Sequence, residues 1–257
     1  MDQLLIALDV DSAAAAHRLA DQLRGVGGGF KVGGQLFTSV GPSIVEELVA
    51  RGDRVFLDLK FHDIPNTVAK AVAAATRLGV WMLNVHASGG SLVMRAARDA
   101  ADGEAARAGR RPPLVIAVTM LTSFDDDMAA EIGYTAGVAA QVEHLAPLAQ
   151  RAGLDGVVSS PREIAVVRRR CGERFMIVTP GIRGGAALIA ERGVPAQRVP
   201  GVGAPEVIDD QSRTMTARDA LAAGASYLVV GRPITAAADP RGAAERIVTE
   251  CRGTHVS

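Results

Sequence analysis

Three charged residues lie close together in the segment VFLDLKFHDIPNT, which spans residues 55–67. Asp58, Lys60 and Asp63 follow an apolar run, and charged side chains are rarely buried unless they are paired or functional. Asp58 and Lys60 are two residues apart, so on a β-strand they would project from the same face. One interpretation is an ordinary ion pair that closes a sheet. The other is a catalytic lysine held by carboxylates.

Lysine is rare in this chain, since only Lys31, Lys60 and Lys70 accompany 25 arginines. A coding bias toward arginine explains the total. It does not explain why Lys31 and Lys60 both belong to apolar, strand-like segments. Lysine can give up a proton near neutral pH, whereas arginine cannot. The two positions are therefore candidates for a site that transfers a proton.

Short apolar runs alternate with amphipathic segments along the chain. The predicted strands lie at residues 4–10, 29–34, 54–61, 80–87, 114–121, 154–160, 175–182 and 226–232. Nearly continuous apolar runs are typical of strands buried on both faces of a parallel sheet. Eight such strands alternating with helices favour a closed (β/α)8 TIM barrel over an open doubly wound sheet. We predict a single α/β domain over residues 1–257.

Several helices carry recognisable starts. Asp11 or Ser12 is placed to cap the first helix, and Thr216 with Asp219 three residues later approximates a capping box. Pro161 follows Ser160, which predicts a helix that begins there with serine as its cap.

Polar residues fall where the predicted strands end, which is where this fold carries its chemistry. Asp9 ends the first strand, Lys31 lies in the second, and Asn84 and His86 end the fourth. Four alternating charges around one barrel mouth, from Asp9, Lys31, Asp58 and Lys60, exceed what a structural ion pair needs. This pattern favours the catalytic interpretation of Asp58 and Lys60.

The loops after the last two strands predict a phosphate site, because barrels of this kind commonly bind phosphate there. They offer Arg183 and the pair Gly231–Arg232. Glycine permits close backbone approach, and arginine can donate two parallel hydrogen bonds to phosphate oxygens. The alternative is that these arginines only solubilise loop ends. Residues 183–213, rich in glycine and proline, lie between these strands and predict a lid or a mobile segment.

The composition argues against several other classes of protein. A formal net charge of zero argues against nonspecific binding to nucleic acid or membrane surfaces. Cys171 and Cys251 lack disulfide or metal-site spacing, and His62 and His86 do not form a metal motif. The N-terminus has no basic region of a secretory signal, and no apolar run approaches the ~20 residues of a membrane span. We expect a soluble cytoplasmic protein without a bound metal.

Segments along most of the chain resemble the orotidine 5′-phosphate decarboxylase family, bacterial type. FLDLKFHDIPNT is similar to the family signature, and IALDV, FKVGGQLFTSVGP, GVWMLNVHASGG, IAVTMLTS, DGVVSS, VTPGIR, DQSRTMT and GASYLVVGRPITAAADP resemble its other segments in order. The Asp-x-Lys-x-x-Asp pattern alone is shared with other phosphosugar enzymes of the superfamily. The remaining segments are more specific. Between PGIR and DQSR this chain is longer than the family pattern, which affects the placement of Gln211.

The resemblance implies cofactor-independent decarboxylation of orotidine 5′-phosphate to UMP and CO2, the last step of de novo UMP synthesis. It implies catalytic roles for Lys60, Asp58, Asp63 and Lys31, and substrate contacts from Asp9, Lys31, Thr67, Thr122, Arg183, Gln211, Gly231 and Arg232. It also implies a homodimer in which Asp63 and Thr67 reach the partner's active site.

Two other functions remain open from the residues. A Mg2+-dependent phosphosugar lyase or aldolase would use the same Asp-x-Lys-x-x-Asp core, but FKVGGQLF offers no extra carboxylate ligand. A catalytically inactive barrel that only binds nucleotide phosphates would not need Asp58, Lys60 and Asp63 together.

Overall fold

Eight parallel strands form a closed barrel in the computed structural model, which describes residues 1–183 and 214–252. The barrel strands are β1 (Leu4–Ala7), β2 (Gly29–Gly33), β3 (Val55–Phe61), β4 (Met82–His86), β5 (Leu114–Val118), β6 (Gly156–Val158), β7 (Met176–Thr179) and β10 (Tyr227–Val230). Each strand pairs with the next in chain order, and β10 closes the ring onto β1. The (β/α)8 prediction is confirmed. The single domain over 1–257 stays a prediction.

Helices follow the strands and surround the barrel. They are α1 (Ala13–Leu23), α2 (Gly34–Val40), α3 (Ser43–Ala50), α4 (Pro65–Arg77), α5 (Gly90–Arg107), α6 (Asp126–Glu131), α7 (Val138–Arg151), α8 (Ile164–Cys171), α9 (Ala217–Ala222), α10 (Arg232–Thr235) and α11 (Pro240–Arg252). None of the helices in the described ranges is long and apolar enough to cross a membrane.

Two predicted helix caps are confirmed, and at the third the predicted start at Pro161 is found without the side-chain cap. The hydroxyl of Ser12 accepts a hydrogen bond from the Ala15 amide, and that of Thr216 accepts one from the Asp219 amide at 3.1 Å. Ser160 does not cap in this way, because the Glu163 amide donates to the Ser160 backbone carbonyl at 3.2 Å, while the Ser160 hydroxyl donates to the Glu163 carboxylate. Residues 161–163 form a 3-10 turn, and the α-helix begins only at Ile164.

The core has two layers because alternate strand residues point to opposite sides of the barrel wall. On β1, Leu4 and Ile6 pack against the helices, whereas Leu5 and Ala7 fill the interior. At the N-terminal end of the interior, the indole of Trp81 meets the ring of Tyr227 edge-on, with centroids 5.2 Å apart. These two rings come from opposite parts of the wall and close that end.

A second, two-stranded parallel sheet lies beside the barrel after β7. It consists of β8 (Ile182–Arg183) and β9 (Met215–Thr216), paired in register. The two strands flank residues 184–213, which lie outside the described residues. The prediction of a lid or mobile segment at 183–213 therefore stays a prediction.

Candidate active site

A cavity of about 360 Å³ opens at the C-terminal ends of the barrel strands. Its floor is apolar and includes Phe56, Val118, Val158, Val178 and Val229. Its polar lining comprises Asp9, Lys31, Asp58, Lys60, Thr122, Ser123, Arg183, Gly231 and Arg232. The barrel thus brings eight of the predicted site residues to one concave surface, as parallel strand ends do in this fold.

Four charged side chains form a continuous row on one side of the cavity. The ammonium of Lys31 lies 2.9 Å from a carboxylate oxygen of Asp9 and 3.5 Å from one of Asp58. The other oxygen of Asp58 accepts a hydrogen bond from the Lys60 ammonium at 2.8 Å. Lys31 is only 8% exposed, so its charge is tolerated because carboxylates lie on two sides of it.

Asp58 is the carboxylate through which both lysines are connected. Burial alone would raise its pKa. The attraction of the Lys31 and Lys60 ammoniums, together with hydrogen bonds from Lys60 and Asn84, outweighs burial, and the pKa of Asp58 ends below its ordinary value. Asp58 is therefore a fixed negative charge that holds two cations at the cavity.

Lys60 reaches this cavity from a backbone that is not regular strand. Its φ is +52°, and it is the one non-glycine residue with positive φ among residues 1–183 and 214–252. The register of β3 with β4 shifts between Leu57 and Phe61. Asp58 and Lys60 do meet, as expected from the sequence. The expected cause, the regular two-residue period of a strand, is wrong. A bulge turns Lys60 toward Asp58.

The basic groups predicted to bind phosphate line the same cavity as the lysines. Arg183 extends from β8, Gly231 follows β10, and Arg232 begins α10. A β-carbon on Gly231 would meet Ala7 and Asp9 only at 3.5 and 3.6 Å, which is ordinary contact. Glycine is therefore not required there by protein packing. Thr122, predicted to hold the base, lies in the loop after β5 and also lines the cavity.

Asp63 and Thr67 are not among the residues that line this cavity. Both side chains are exposed at the start of α4, and the Asp63 carboxylate accepts a hydrogen bond from the Ile64 amide at 2.6 Å. Within the described residues Asp63 forms no ion pair with Lys60 of its own chain. Gln211 lies outside the described residues.

His86 ends β4 and is not among the residues that line the cavity. Its ring is 5.0 Å from that of His62. Burial, followed by the neighbouring His62 and Lys60, lowers the pKa of His86 to about 4. The imidazole is consequently neutral at physiological pH. Residues 1–183 and 214–252 contain no cluster of three or more metal-ligating side chains.

Sequence reasoning gave no role to Asn84, which touches both catalytic candidates of β3. Its carboxamide accepts from the Lys60 amide at 2.8 Å and donates to Asp58 at 2.7 Å. The signal available in the sequence was one amide side chain inside the otherwise apolar run VWMLNV.

Comparisons with known proteins agree on one family. A model of the orotidine 5′-phosphate decarboxylase / HUMPS family matches residues 2–247. A curated protein of Moorella thermoacetica named orotidine 5′-phosphate decarboxylase is 50% identical, with 97% of this chain and 92% of the relative covered. One of the same name from Syntrophotalea carbinolica is 49% identical, with 96% and 94% covered.

Solved structures give the same result. The crystal structure of orotidine 5′-phosphate decarboxylase from Lactobacillus acidophilus superposes with a TM-score of 0.79 at 35% identity, covering 96% of this chain and 98% of the other. An uncharacterised conserved protein from Geobacillus kaustophilus gives 0.78 at 36% identity, covering 96% and 99%.

Proposed function

This chain belongs to the orotidine 5′-phosphate decarboxylase / HUMPS family, and we propose how its barrel mouth carries out the reaction. The enzyme decarboxylates orotidine 5′-phosphate to UMP and CO2, in UMP synthesis. The observation that supports our assignment of residues is the row Lys31–Asp58–Lys60, which shares one cavity with Arg183 and Arg232. A charged row and a phosphate site on one surface fit a substrate with a reacting ring and a distant phosphate.

Lys60 is the proton donor in this proposal. The bond between C6 and the carboxyl carbon breaks, CO2 leaves, and the electron pair stays on C6, where no π-system delocalises it. A cationic Lys60 stabilises this carbanion and then transfers a proton from Nζ to C6, which gives UMP. The barrier reduction required is at the upper end of the enzymatic range, roughly 20 kcal/mol or more.

Asp58 holds that ammonium in position, and Lys31 holds Asp58. Asp58 accepts directly from Lys60, and Lys31 connects Asp58 to Asp9. Because the row is already assembled within the folded chain, little reorganisation is needed when charge develops on the substrate. Asp9 has a carboxylate that is partly exposed at the cavity edge. It hydrogen-bonds ribose hydroxyls in this proposal, beside Lys31.

The phosphate is bound by Arg183, Arg232 and the backbone at Gly231, with Gln211 as a further contact and Thr122 at the base. A guanidinium group can donate two parallel hydrogen bonds to phosphate oxygens. Phosphate contacts are remote from C6, so their binding energy can be used to organise the site around the transition state rather than only to retain substrate.

The active form is a homodimer in the same proposal, with Asp63 and Thr67 reaching the partner's cavity. Asp63 is exposed and unpaired with its own Lys60, which supports this arrangement. Two large apolar side chains are exposed, Ile64 beside Asp63 at 65% and Leu92 on α5 at 67%. Burial of such side chains by a second copy would stabilise a symmetric dimer. Neither Cys171 nor Cys251 forms a disulfide, which supports a cytoplasmic location.

One assay tests the function against its closest rival. The name of the matching family covers two kinds of enzyme, and a Mg2+-dependent lyase or aldolase would be inhibited by a chelator. Purified protein is mixed with orotidine 5′-phosphate and EDTA, and loss of substrate absorbance is followed. We expect full turnover. Turnover abolished by EDTA and restored by Mg2+ would favour a metal-dependent reaction. No loss of orotidine 5′-phosphate under either condition would contradict the decarboxylase and leave both the phosphosugar enzyme and the inactive binding barrel.

A further inference from the structure

The ladder between β3 and β4 is interrupted beside the active site. Leu57 pairs with Leu83, but the next pair is Phe61 with Val85. Four residues of β3 therefore advance while β4 advances by two, and the extra residues of β3 form the bulge that contains Lys60. Asn84 is the residue of β4 that lies opposite this bulge.

The carboxamide of Asn84 replaces the contacts that the ladder loses. Its oxygen accepts from the Lys60 backbone amide at 2.8 Å, and its nitrogen donates to the Asp58 carboxylate at 2.7 Å. The side chain is 0% exposed, so water does not substitute for either bond. The partners also fix the orientation of the amide, because one is a donor and the other a carboxylate.

Few side chains can make both bonds from this position. Leucine has the same number of side-chain heavy atoms and a similar branching but neither a donor nor an acceptor. An ionised aspartate has only acceptors and would bring a second negative charge against Asp58. Serine is too short to span both partners. The residue must therefore offer one acceptor and one donor on a planar group of this size.

We propose that Asn84 is a positioning residue for the decarboxylation. It holds the backbone of Lys60 in its left-handed conformation and holds the Asp58 carboxylate beside the Lys60 ammonium. Non-glycine residues rarely adopt positive φ unless their surroundings enforce it. The direction of the Lys60 side chain follows from this backbone. Without Asn84 the bulge can relax, and the Lys60 ammonium is no longer directed at C6 of the substrate. This inference rests on the proposed function.

The first test separates an effect on the position of the Lys60 ammonium from an effect on ligand binding. Asn84→Ser is compared with Thr119→Val, a matched control, because the buried Thr119 hydroxyl donates to the Val158 carbonyl at 3.0 Å and does not touch Lys60 or Asp58. We expect Asn84→Ser to lower kcat about 100-fold while the Kd for UMP stays within about threefold, since UMP has no carboxylate at C6. Thr119→Val should keep kcat within about twofold despite losing a buried hydrogen bond.

The second test is Asn84→Asp, whose protonated carboxyl has one acceptor and one donor and can reproduce both bonds. The charged or titratable groups near it are Asp58 and Lys60 on β3, His62 after β3, Lys31 on β2, Asp9 after β1 and His86 on β4, while β5 contributes none. Ionisation removes the donor and repels Asp58. The kcat of Asn84→Asp relative to wild type should therefore be highest near pH 5 and fall about tenfold or more by pH 8.

Ratios to wild type at each pH cancel ionisation of the substrate phosphate. A pH-independent ratio for Asn84→Asp, or unfolding of this variant at pH 5, would overturn the proposal, even if Asn84→Ser does not fold. A kcat of Asn84→Ser within threefold of wild type would also overturn it. Turnover by the wild type in the same assay shows that the proposed function holds, so failure of one is distinguishable from failure of the other.

Discussion

The ammonium of Lys31 lies directly over Gly33, at a place where a β-carbon on residue 33 would be 2.8 Å from Nζ. The same β-carbon would be 3.3 Å from the Asp9 carboxylate. Gly33→Ala must therefore move the end of the Lys31 side chain. Because that end is flexible, we expect little loss of stability, but kcat/KM should fall about 10- to 100-fold. Thermal unfolding and steady-state kinetics measure the two effects.

Gly34→Ala is the matched control for this substitution. A β-carbon on Gly34 would meet nothing within 4 Å, and the residue begins α2. Its kinetics should equal those of wild type. Unchanged kinetics in Gly33→Ala as well would show that the position of the Lys31 ammonium does not matter for the reaction.

Lys60→Arg should be nearly as inactive as Lys60→Ala. The positive charge is kept, but a guanidinium does not release a proton near neutral pH and its planar fork differs in shape from an ammonium. Single-turnover rates with both variants check this. If Lys60→Arg kept a tenth or more of wild-type kcat, Lys60 would not be the proton donor.

Arg232→Ala should weaken the phosphate contacts and transition-state stabilisation together. We expect kcat/KM for orotidine 5′-phosphate to fall. The fall corresponds to a loss of transition-state stabilisation of roughly 2–4 kcal/mol, as when one partner of a charged hydrogen bond is removed. Orotidine, which lacks the phosphate, should be turned over equally poorly by the variant and the wild type. If Arg232→Ala lowered kcat/KM for orotidine by the same factor as for orotidine 5′-phosphate, Arg232 would not bind the phosphate.

His86 should make the protein less stable in mild acid. The unfolded chain binds a proton on this imidazole near pH 6.5, whereas burial, His62 and Lys60 delay protonation in the folded chain to about pH 4. The free energy of unfolding therefore falls as pH drops from 6.5 to about 4. With allowance for partial exposure, the loss is on the order of 1–2 kcal/mol.

His86→Gln removes this titration, so its stability should fall less than that of wild type between pH 7 and pH 4.5. Urea unfolding at one protein concentration measures it. His144→Gln, a change at an exposed position on α7, is the control. Identical pH dependence in His86→Gln and wild type would mean that other groups cause the acid sensitivity.

A mixed dimer tests whether Asp63 acts in the partner's cavity. Lys60→Ala and Asp63→Asn homodimers should both be nearly inactive. In a mixed dimer one cavity collects both substitutions and the other has neither, so random re-association of equal amounts should restore about a quarter of wild-type activity per site. The chains are refolded together to permit exchange. Mixed dimers observed by mass spectrometry without recovered activity would mean that Asp63 acts within its own chain.

The strands were predictable because buried parallel strands leave continuous apolar runs, and the charged residues that end such runs had to meet at the barrel mouth. Asp9, Lys31 and Asp58 illustrate this. The bulge at Lys60 was not predictable, since the Lys60 amide donates its hydrogen bond to a side chain of a different strand, and lysine itself has no preference for positive φ. The Ser160 hydroxyl does not cap, because a 3-10 turn directs the Glu163 amide to the Ser160 backbone carbonyl instead.

The contact between Trp81 and Tyr227 gives the barrel an internal optical reporter. Trp81 is the only tryptophan in the sequence, and its edge-on contact connects the residue that precedes β4 with Tyr227 of β10, in a different part of the wall. Its fluorescence therefore reports on whether the ring of strands is closed. Because it lies at the end of the barrel opposite the cavity, ligand binding should leave the emission nearly unchanged, while opening of the barrel on unfolding should shift it to longer wavelength.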